Sequence, residues 1–465
     1  MKERVSVSTG NACKLCAPFG ACMALRGIEG CIPLIHGSQG CATYIRRYGI
    51  SHFREPLDIA SSNFTEGAAI FGGRDTLFTA LDNVSRSYKP AAIGITSTCL
   101  SETMGEDVPR YLRQYESERQ RPDGSPLPVL FYASTPSYRG THTDGFHEAI
   151  WAVLSSLTGI RTDRPFQGSS EEGKRVNLIS SFVSTEDLRE LHSILRSFEV
   201  PYTLVPDYSE SLDGPSWETY QQLPEGGTPL ADIRAMADAA GTLYLGHPPG
   251  KDGGQWLWEN HGIPLSRLEL PIGIEHTDRF FEALANVTGR EIPESWQKQR
   301  GRLIDAYMDG HKYGSGKRAI LYGEEDFVVA LASFLDEIGV IPVIVATGGA
   351  ATRRGRSSFF QRIQGALRNT AAEERFIMDD ADFISILDRA KTLEADFIMG
   401  HSKGLYLSRE LGIPLVRCGF PIHDRMGGQR LLHLGYRGTL NLFDLLCNTL
   451  LQAKQDQVSK GYTYL

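Results

Sequence analysis

Short apolar runs alternate with amphipathic stretches in three successive blocks, and that alternation leaves few folds open. Strands joined by helices pair parallel, and a parallel sheet needs helices on both faces. In the first block, runs at 32–35, 91–96 (AAIGIT) and 129–133 (VLFYA) read as strands, and 18–26, 78–86 and 147–157 as helices. A polar stretch without periodicity, RTDRPFQGSSEEGKR, reads as a linker to the second block. There VNLISSF and VPYTLVP read as strands flanking the helix STEDLRELHSILRSF, capped by Ser184 or Thr185, with Leu188, Leu191, Ile194 and Leu195 on one stripe. GTLYLG, IPLSRLELP and a helix over 277–287 follow. After a helix over 294–307, the third block offers KRAILYG, VIPVIVATGG, ADFIMGHS and IPLVRCGF as strands. Its helices are EDFVVALASFLDEIG, ended by Gly339, and a long one over 436–454. The expected fold class is α/β, with three doubly wound parallel-sheet (Rossmann-like) domains at 1–165, 166–300 and 301–465. A chain of 465 residues accommodates three domains of roughly 150 residues each.

Several function classes drop out early. The net charge is -8, whereas a nucleic-acid protein carries a basic face. No apolar run approaches the roughly 18 residues of a membrane helix, and MKERVSVSTGNACK lacks the apolar core of a secretory signal. The expectation is a soluble, cytoplasmic protein. GSGK at 314–317 imitates a phosphate loop, but His311 stands where the leading Gly is needed and Arg318 where Ser or Thr is needed. No GxGxxG opens a helix, so neither ATP hydrolysis nor ordinary NAD binding is expected of this chain.

The cysteines are unevenly spread. Cys13, Cys16, Cys22, Cys31, Cys41 and Cys99 fall in the first 99 residues, and Cys418 and Cys447 near the end. A reducing compartment disfavours disulfides, and a clustered set there points to metal or catalysis. Cys41 closes the loop HGSQGC, Cys99 closes TSTC, and Cys16 precedes a helix beginning near Pro18. All three are expected where the chain opens a helix. There the helix N-terminus favours thiolate, the ligand that iron–sulfur clusters require. Gly37 and Gly40 would let backbone approach a bulky group. Buried inert thiols are the competing reading. Cys13 and Cys16 form a CxxC without a second pair, so a closed zinc site is incomplete, and His36 reads as a hydrogen-bonding core residue. HFREP reads as a helix end stopped by Pro56 with Arg54 and Glu55 ion-paired, and Ser137 as a hydroxyl ligand or a cap, the cap being favoured.

NACKLCAPFGA, IEGCIPLIHGSQGC, HFREP, TEGAAIFGG, TSTCLSETMGED, TPSYRGTHTDGF, IMGHSKG and IPLVRCGFPIHDR, in this order, resemble the β-type chain of nitrogenase component 1, over about 10–452. The resemblance implies that family's three-domain fold. It implies that Cys16, Cys41 and Cys99 hold half of a P-cluster, an 8Fe-7S electron relay shared with an α-type chain. It matches Ser137 to a serine that ligates the oxidised cluster, and Phe71 to the apolar docking patch of an ATP-hydrolysing iron–sulfur reductase. The catalytic iron–sulfur cofactor then belongs to the α-type partner, with no cofactor site here, and the assembly is an α2β2 heterotetramer. The long N-terminal extension of molybdenum-type chains is absent, and Cys13 and Cys22 are additional. These departures suit a nitrogenase-like methylthio-alkane reductase acting on small thioethers. The alternatives are a dinitrogen-reducing β chain and a cofactor-assembly scaffold, which typically keeps only the HGSQGC cysteine of the three. A zinc-stabilised binding protein is a blander option.

Overall fold

Each block builds one parallel sheet in the computed structural model, which describes residues 14–119, 126–160, 175–248, 250–349, 353–368 and 375–458. In the first, β1 (Cys31–His36), β2 (Ala60–Ser61), β3 (Ala92–Ser97) and β4 (Val129–Ala133) lie in the spatial order β2-β1-β3-β4. In the second, β5 (Val176–Ile179), β6 (Tyr202–Val205), β7 (Gly241–Leu245) and β8 (Leu265–Leu268) lie in the order β6-β5-β7-β8. The third orders β9 (Arg318–Gly323), β10 (Ile341–Thr347), β11 (Phe376–Met378), β12 (Phe397–Gly400) and β13 (Leu415–Arg417) as β11-β10-β9-β12-β13. Every strand pair is parallel. The strands read as unbroken apolar runs because both sheet faces are covered.

The first sheet carries α1 (Ala17–Arg26), α2 (Gln39–Phe53), α3 (Glu66–Phe71), α4 (Arg74–Tyr88), α5 (Cys99–Thr103), α6 (Val108–Glu118) and α7 (His142–Thr158). All ten residues of α1 are buried. It crosses α7 with the two backbones in contact: a Cβ on Gly20 would lie 1.6 Å from the His142 carbonyl oxygen, and one on Gly145 1.9 Å from that of Ala17. Only glycine permits this approach. It fixes the start of α1, and with it Cys16, against the start of α7.

In the second block Ser184 caps the helix Thr185–Ser197 by accepting from the Asp187 amide, and Leu188, Leu191, Ile194 and Leu195 are all buried. In the third, the helix Glu325–Glu337 ends before Gly339, whose φ of +74° is the left-handed value a helix stop uses. GSGK follows the helix Glu294–Gly314 and precedes β9, at the N-terminal edge of the sheet, and Lys317 pairs with Asp396 at 2.7 Å. A phosphate loop leaves a strand's other end. The proposed linker over 161–175 falls almost wholly outside the described residues, as does Cys13. Among the described residues no helix is long and apolar enough to cross a membrane.

Candidate functional site

The order β2-β1-β3-β4 reverses direction between β1 and β3, so the loops leaving the C-terminal ends of these two strands open a crevice. Cys41 lies in the first turn of α2, after β1, and Cys99 is the first residue of α5, after β3. The loops are pressed together: a Cβ on Gly37 would come within 2.4 Å of Thr98 Cγ2, and Thr98 Oγ1 donates to the His36 carbonyl at 3.4 Å. Gly37 thus serves loop-on-loop packing rather than approach to a bound group. At Gly40 a Cβ would meet only Ser38 Oγ, at 3.7 Å, so no such requirement exists there.

Cys16 arrives from another direction. It forms an isolated antiparallel bridge with Thr141, and the His142 amide donates to the Leu15 carbonyl at 3.1 Å. The Leu15 amide donates to His142 Nδ1 at 3.3 Å, which leaves the ring proton on Nε2, 3.2 Å from the buried Glu324 carboxylate. Lys14 pairs with Asp380, and Lys403 Nζ donates to the Lys14 carbonyl at 3.4 Å. The third block therefore holds the approach to Cys16.

Ser137 joins the two sides. Its amide donates to Cys99 Sγ at 3.2 Å, and its Oγ accepts from the Ala17 amide at 3.2 Å. It caps the first amide of α1 while lying against the Cys99 sulfur. Ser38 Oγ donates to Cys41 Sγ at 3.7 Å.

Exposure divides the thiols. Cys16 and Cys99 are exposed and Cys41 is half-buried, whereas Cys22, Cys31, Cys418 and Cys447 are buried. Burial pushes the Cys31 thiol up to about 12 and raises those of Cys22 and Cys418 as well. Among the described residues, the group compact enough for a single ion is His247, Glu269 and Asp326, not the three accessible cysteines. Soft donors spread over three helix starts suit a multi-iron cluster better than one zinc. His36 takes no part: it is buried, its Nδ1 lies 3.0 Å from Ser62 Oγ, and burial lowers its pKa to about 4.

Phe71 ends α3 with 89% of its surface exposed, next to Ile70 at 74%. Two neighbouring apolar side chains are thus left in water at this corner. Gly73, two residues on, donates its amide to Glu106 Oε1 at 2.9 Å, which ties this corner to the segment after the Cys99 helix.

HFREP behaves differently from expectation. The helix stops at Arg54, which takes a left-handed φ of +62°, before Pro56 is reached. Arg54 and Glu55 form no ion pair; the guanidinium donates to the His423 carbonyl at 3.0 Å, while His52 Nδ1 accepts from the Ile422 amide at 3.0 Å. The segment ties α2 to the PIHDR loop of the third block.

Glu102, which sequence patterning does not single out, proves central to the loop architecture. Its Oε1 accepts from Ser97 Oγ at 2.6 Å, Tyr132 OH at 2.9 Å and Ser134 Oγ at 2.6 Å. Burial pushes its pKa up, and the Ser134, Ser97 and Tyr132 hydroxyls together with the Arg139 charge more than reverse this, leaving it lowered. A carboxylate in the first turn of a helix is an ordinary complement to the helix dipole, which hides the signal.

The centre where the three sheets meet is filled. Phe19, Phe182 and Phe420 stack or meet edge-on and Phe146 lies tilted against Phe182, and the two cavities beside them are about 20 Å³ each, room for a single water.

Comparison with known proteins agrees with this architecture. The family model described as nitrogenase component 1 type oxidoreductase matches residues 16–451. The chain is 35% identical over 441 residues to the nitrogenase molybdenum-iron protein beta chain of Clostridium pasteurianum, covering 95% of this chain and 93% of that one. It is also 35% identical to the protein of the same name from Frankia alni over 448 residues, 95% of this chain and 83% of that one. A solved structure described as nitrogenase Cp1 at pH 6.5 superposes with a TM-score of 0.92 at 34% identity, covering 100% of this chain and 98% of that chain.

Proposed function

The chain belongs to the nitrogenase component 1 type oxidoreductases as a beta-type chain, and on that premise we propose that Cys16, Cys41 and Cys99 hold its half of an interface 8Fe-7S P-cluster. The cluster is shared with the alpha chain of an α2β2 assembly that an ATP-hydrolysing iron–sulfur reductase serves. The observation that carries the residue assignment is Ser137, bonded both to the Cys99 sulfur and to the helix that Cys16 precedes, with the Cys41 loop packed on the Cys99 loop. The donor set fits: the three thiols stand at helix starts and are exposed or half-buried, while the other described thiols are buried. When bound, the cluster supplies one-electron relay. The protein's part is to present three soft donors at a subunit seam and to place the Ser137 hydroxyl beside Cys99. Phe71 and Ile70 provide the apolar surface on which the reductase seats. A cluster gripped by two chains ties its stability to that of the dimer.

The domain division at 165 and 300 is part of the proposal, supported by one sheet on each side of either boundary. The cytoplasmic placement belongs to it too, supported by the oxidation-sensitive cluster.

Substrate choice rests with the alpha partner. The thioether reading rests on a missing extension and on additional cysteines. The first does not discriminate, since a molybdenum-iron beta chain is matched over 93% of its own length. Cys22 is buried in α1, remote in character from the accessible set. The names of the relatives support dinitrogen reduction as the second reading. Purification of the complex with its partner tests the whole. An eight-iron cluster supports the relay, a four-iron interface cluster the assembly scaffold, and zinc without iron the binding protein. Reduction of dinitrogen or of methylthio-alkanes by the assembled complex then separates the two substrates.

A further inference from the structure

Glu102 sits on the same helical turn as Cys99, and one of its carboxylate oxygens gathers three hydroxyls from three places: the end of β3 (Ser97), β4 (Tyr132) and the loop after β4 (Ser134). The network continues toward Ser137. Ser97 Oγ accepts from the Thr135 amide at 2.8 Å, and Thr135 Oγ1 donates to the Ser97 carbonyl at 2.8 Å. Two residues later the Ser137 amide meets Cys99 Sγ, and its hydroxyl caps α1. An ionised carboxylate that is partly withdrawn from water costs free energy, and charge-assisted hydrogen bonds offset that cost. Here those bonds exist together only when the 134–137 loop lies over Cys99. Thr135 is buried and tied to Ser97, so the carboxylate, through Ser134, adds the second tie that fixes how this half-buried loop lies beside Cys99.

We propose that Glu102 is a positioning residue that sets how closely Ser137 stands to Cys99. This rests on the cluster reading above. Loss of the carboxylate removes the Ser134 tie, shifts the Ser137 amide and hydroxyl relative to the Cys99 sulfur, and changes the electronic environment at that sulfur without removing any thiol. Hydrogen bonds to sulfur are among the factors that set the potential of an iron–sulfur centre.

The test uses the purified α2β2 complex carrying Glu102→Gln, Ser134→Ala, Ser137→Ala and the Glu102→Gln/Ser137→Ala pair. The readouts are the EPR signal and midpoint potential of the oxidised interface cluster, iron content and melting temperature. Glu102→Gln is expected to keep full iron and the unsubstituted melting temperature while displacing the potential and the g-values. Ser134→Ala should move them the same way by less. In the double variant the further displacement beyond Ser137→Ala should be smaller than the displacement Glu102→Gln causes alone, because the hydroxyl through which part of the effect passes is already gone while the Ser137 amide remains. Unchanged potential and g-values in Glu102→Gln at full iron overturn the proposal, as do effects that simply add in the double variant. If Glu102→Gln unfolds, Ser134→Ala decides by the same criteria. Absence of a multi-iron cluster in the unsubstituted complex overturns the cluster reading itself and shows before any Glu102 variant is made.

Discussion

Cys31 and Cys41 flank the same strand, and its two ends give them opposite characters. Cys31 begins β1 at the N-terminal edge of the sheet, is 2% exposed, and has its thiol held up to about 12 by burial. Cys41 follows the C-terminal edge, in the first turn of α2, half-buried beside the Cys99 loop. Elsewhere burial follows other causes: Cys22 and Cys447 lie inside helices, Cys418 is sealed although it directly follows β13, and Cys16 and Cys99 are exposed where helices start. In a parallel sheet the N-terminal edge and the interior serve packing, while the loops beyond the C-terminal edge serve ligands. For Cys31 and Cys41, two identical side chains on one strand, the end of the strand decides which is packed and which is presented.

The contrast breaks most visibly at Cys99. Cys99→Ala is expected to remove the interface iron and abolish substrate reduction together, at least a roughly hundredfold loss, consistent with losing a direct ligand. Iron analysis beside turnover assays checks this; retained turnover would end the relay assignment. Phe71→Ala should lower reductase-driven turnover by about tenfold, the scale of a truncated interface anchor, with the cluster spectrum unchanged. An altered spectrum would assign Phe71 to packing instead.

The buried set should answer to stability and pH. From an ordinary 9.0 the Cys31 thiol rises to about 12, so above pH 9 the unfolded chain releases a proton that the folded chain keeps. Its contribution is complete below about pH 9 and is lost as pH climbs toward 12, by about 1.4 kcal/mol per pH unit. Melting curves of the complex at pH 8 and pH 10 should differ less once Cys31 is replaced by Ala. Cys418→Ala should cost about 1 kcal/mol of stability and leave iron untouched. Iron loss there would erase the distinction between the two sets. Cys13→Ala should be nearly silent in iron content, and loss of iron would transfer the ligand role from Cys16.

Much of this was legible in the residues. The strand VLFYA occupies the span its apolar run marks, and the three alternating blocks become three parallel sheets. The start of the helix Gln39–Phe53 at Cys41 and its end at HFREP were legible, but its body was not, because Tyr44, Arg46 and Arg47 face water and only Ala42, Ile45, Gly49, His52 and Phe53 are buried, a stripe that includes a glycine and a histidine. The five-residue helix that starts at Cys99 is too short to show a period. At the site, Cys16, Cys41 and Cys99 could be picked out because each stands where the chain opens a helix, before Pro18, after HGSQG and after TST. The clamp on Cys16 could not: His142, Glu324, Asp380 and Lys403 come from segments distant in sequence, and only the fold brings them to Leu15 and Lys14. Arg54 looked like an ion-pair partner for its neighbour and instead reaches a carbonyl 369 positions away. Local reading finds donors; it does not find what holds them.

The most direct measurement is anomalous diffraction at the iron edge from crystals of the purified α2β2 complex. The account predicts eight iron positions at the seam between the two chains, with Cys16, Cys41 and Cys99 each ligating from this side. Iron absent from that seam, or a cluster that leaves any of the three sulfurs unbound, would contradict it.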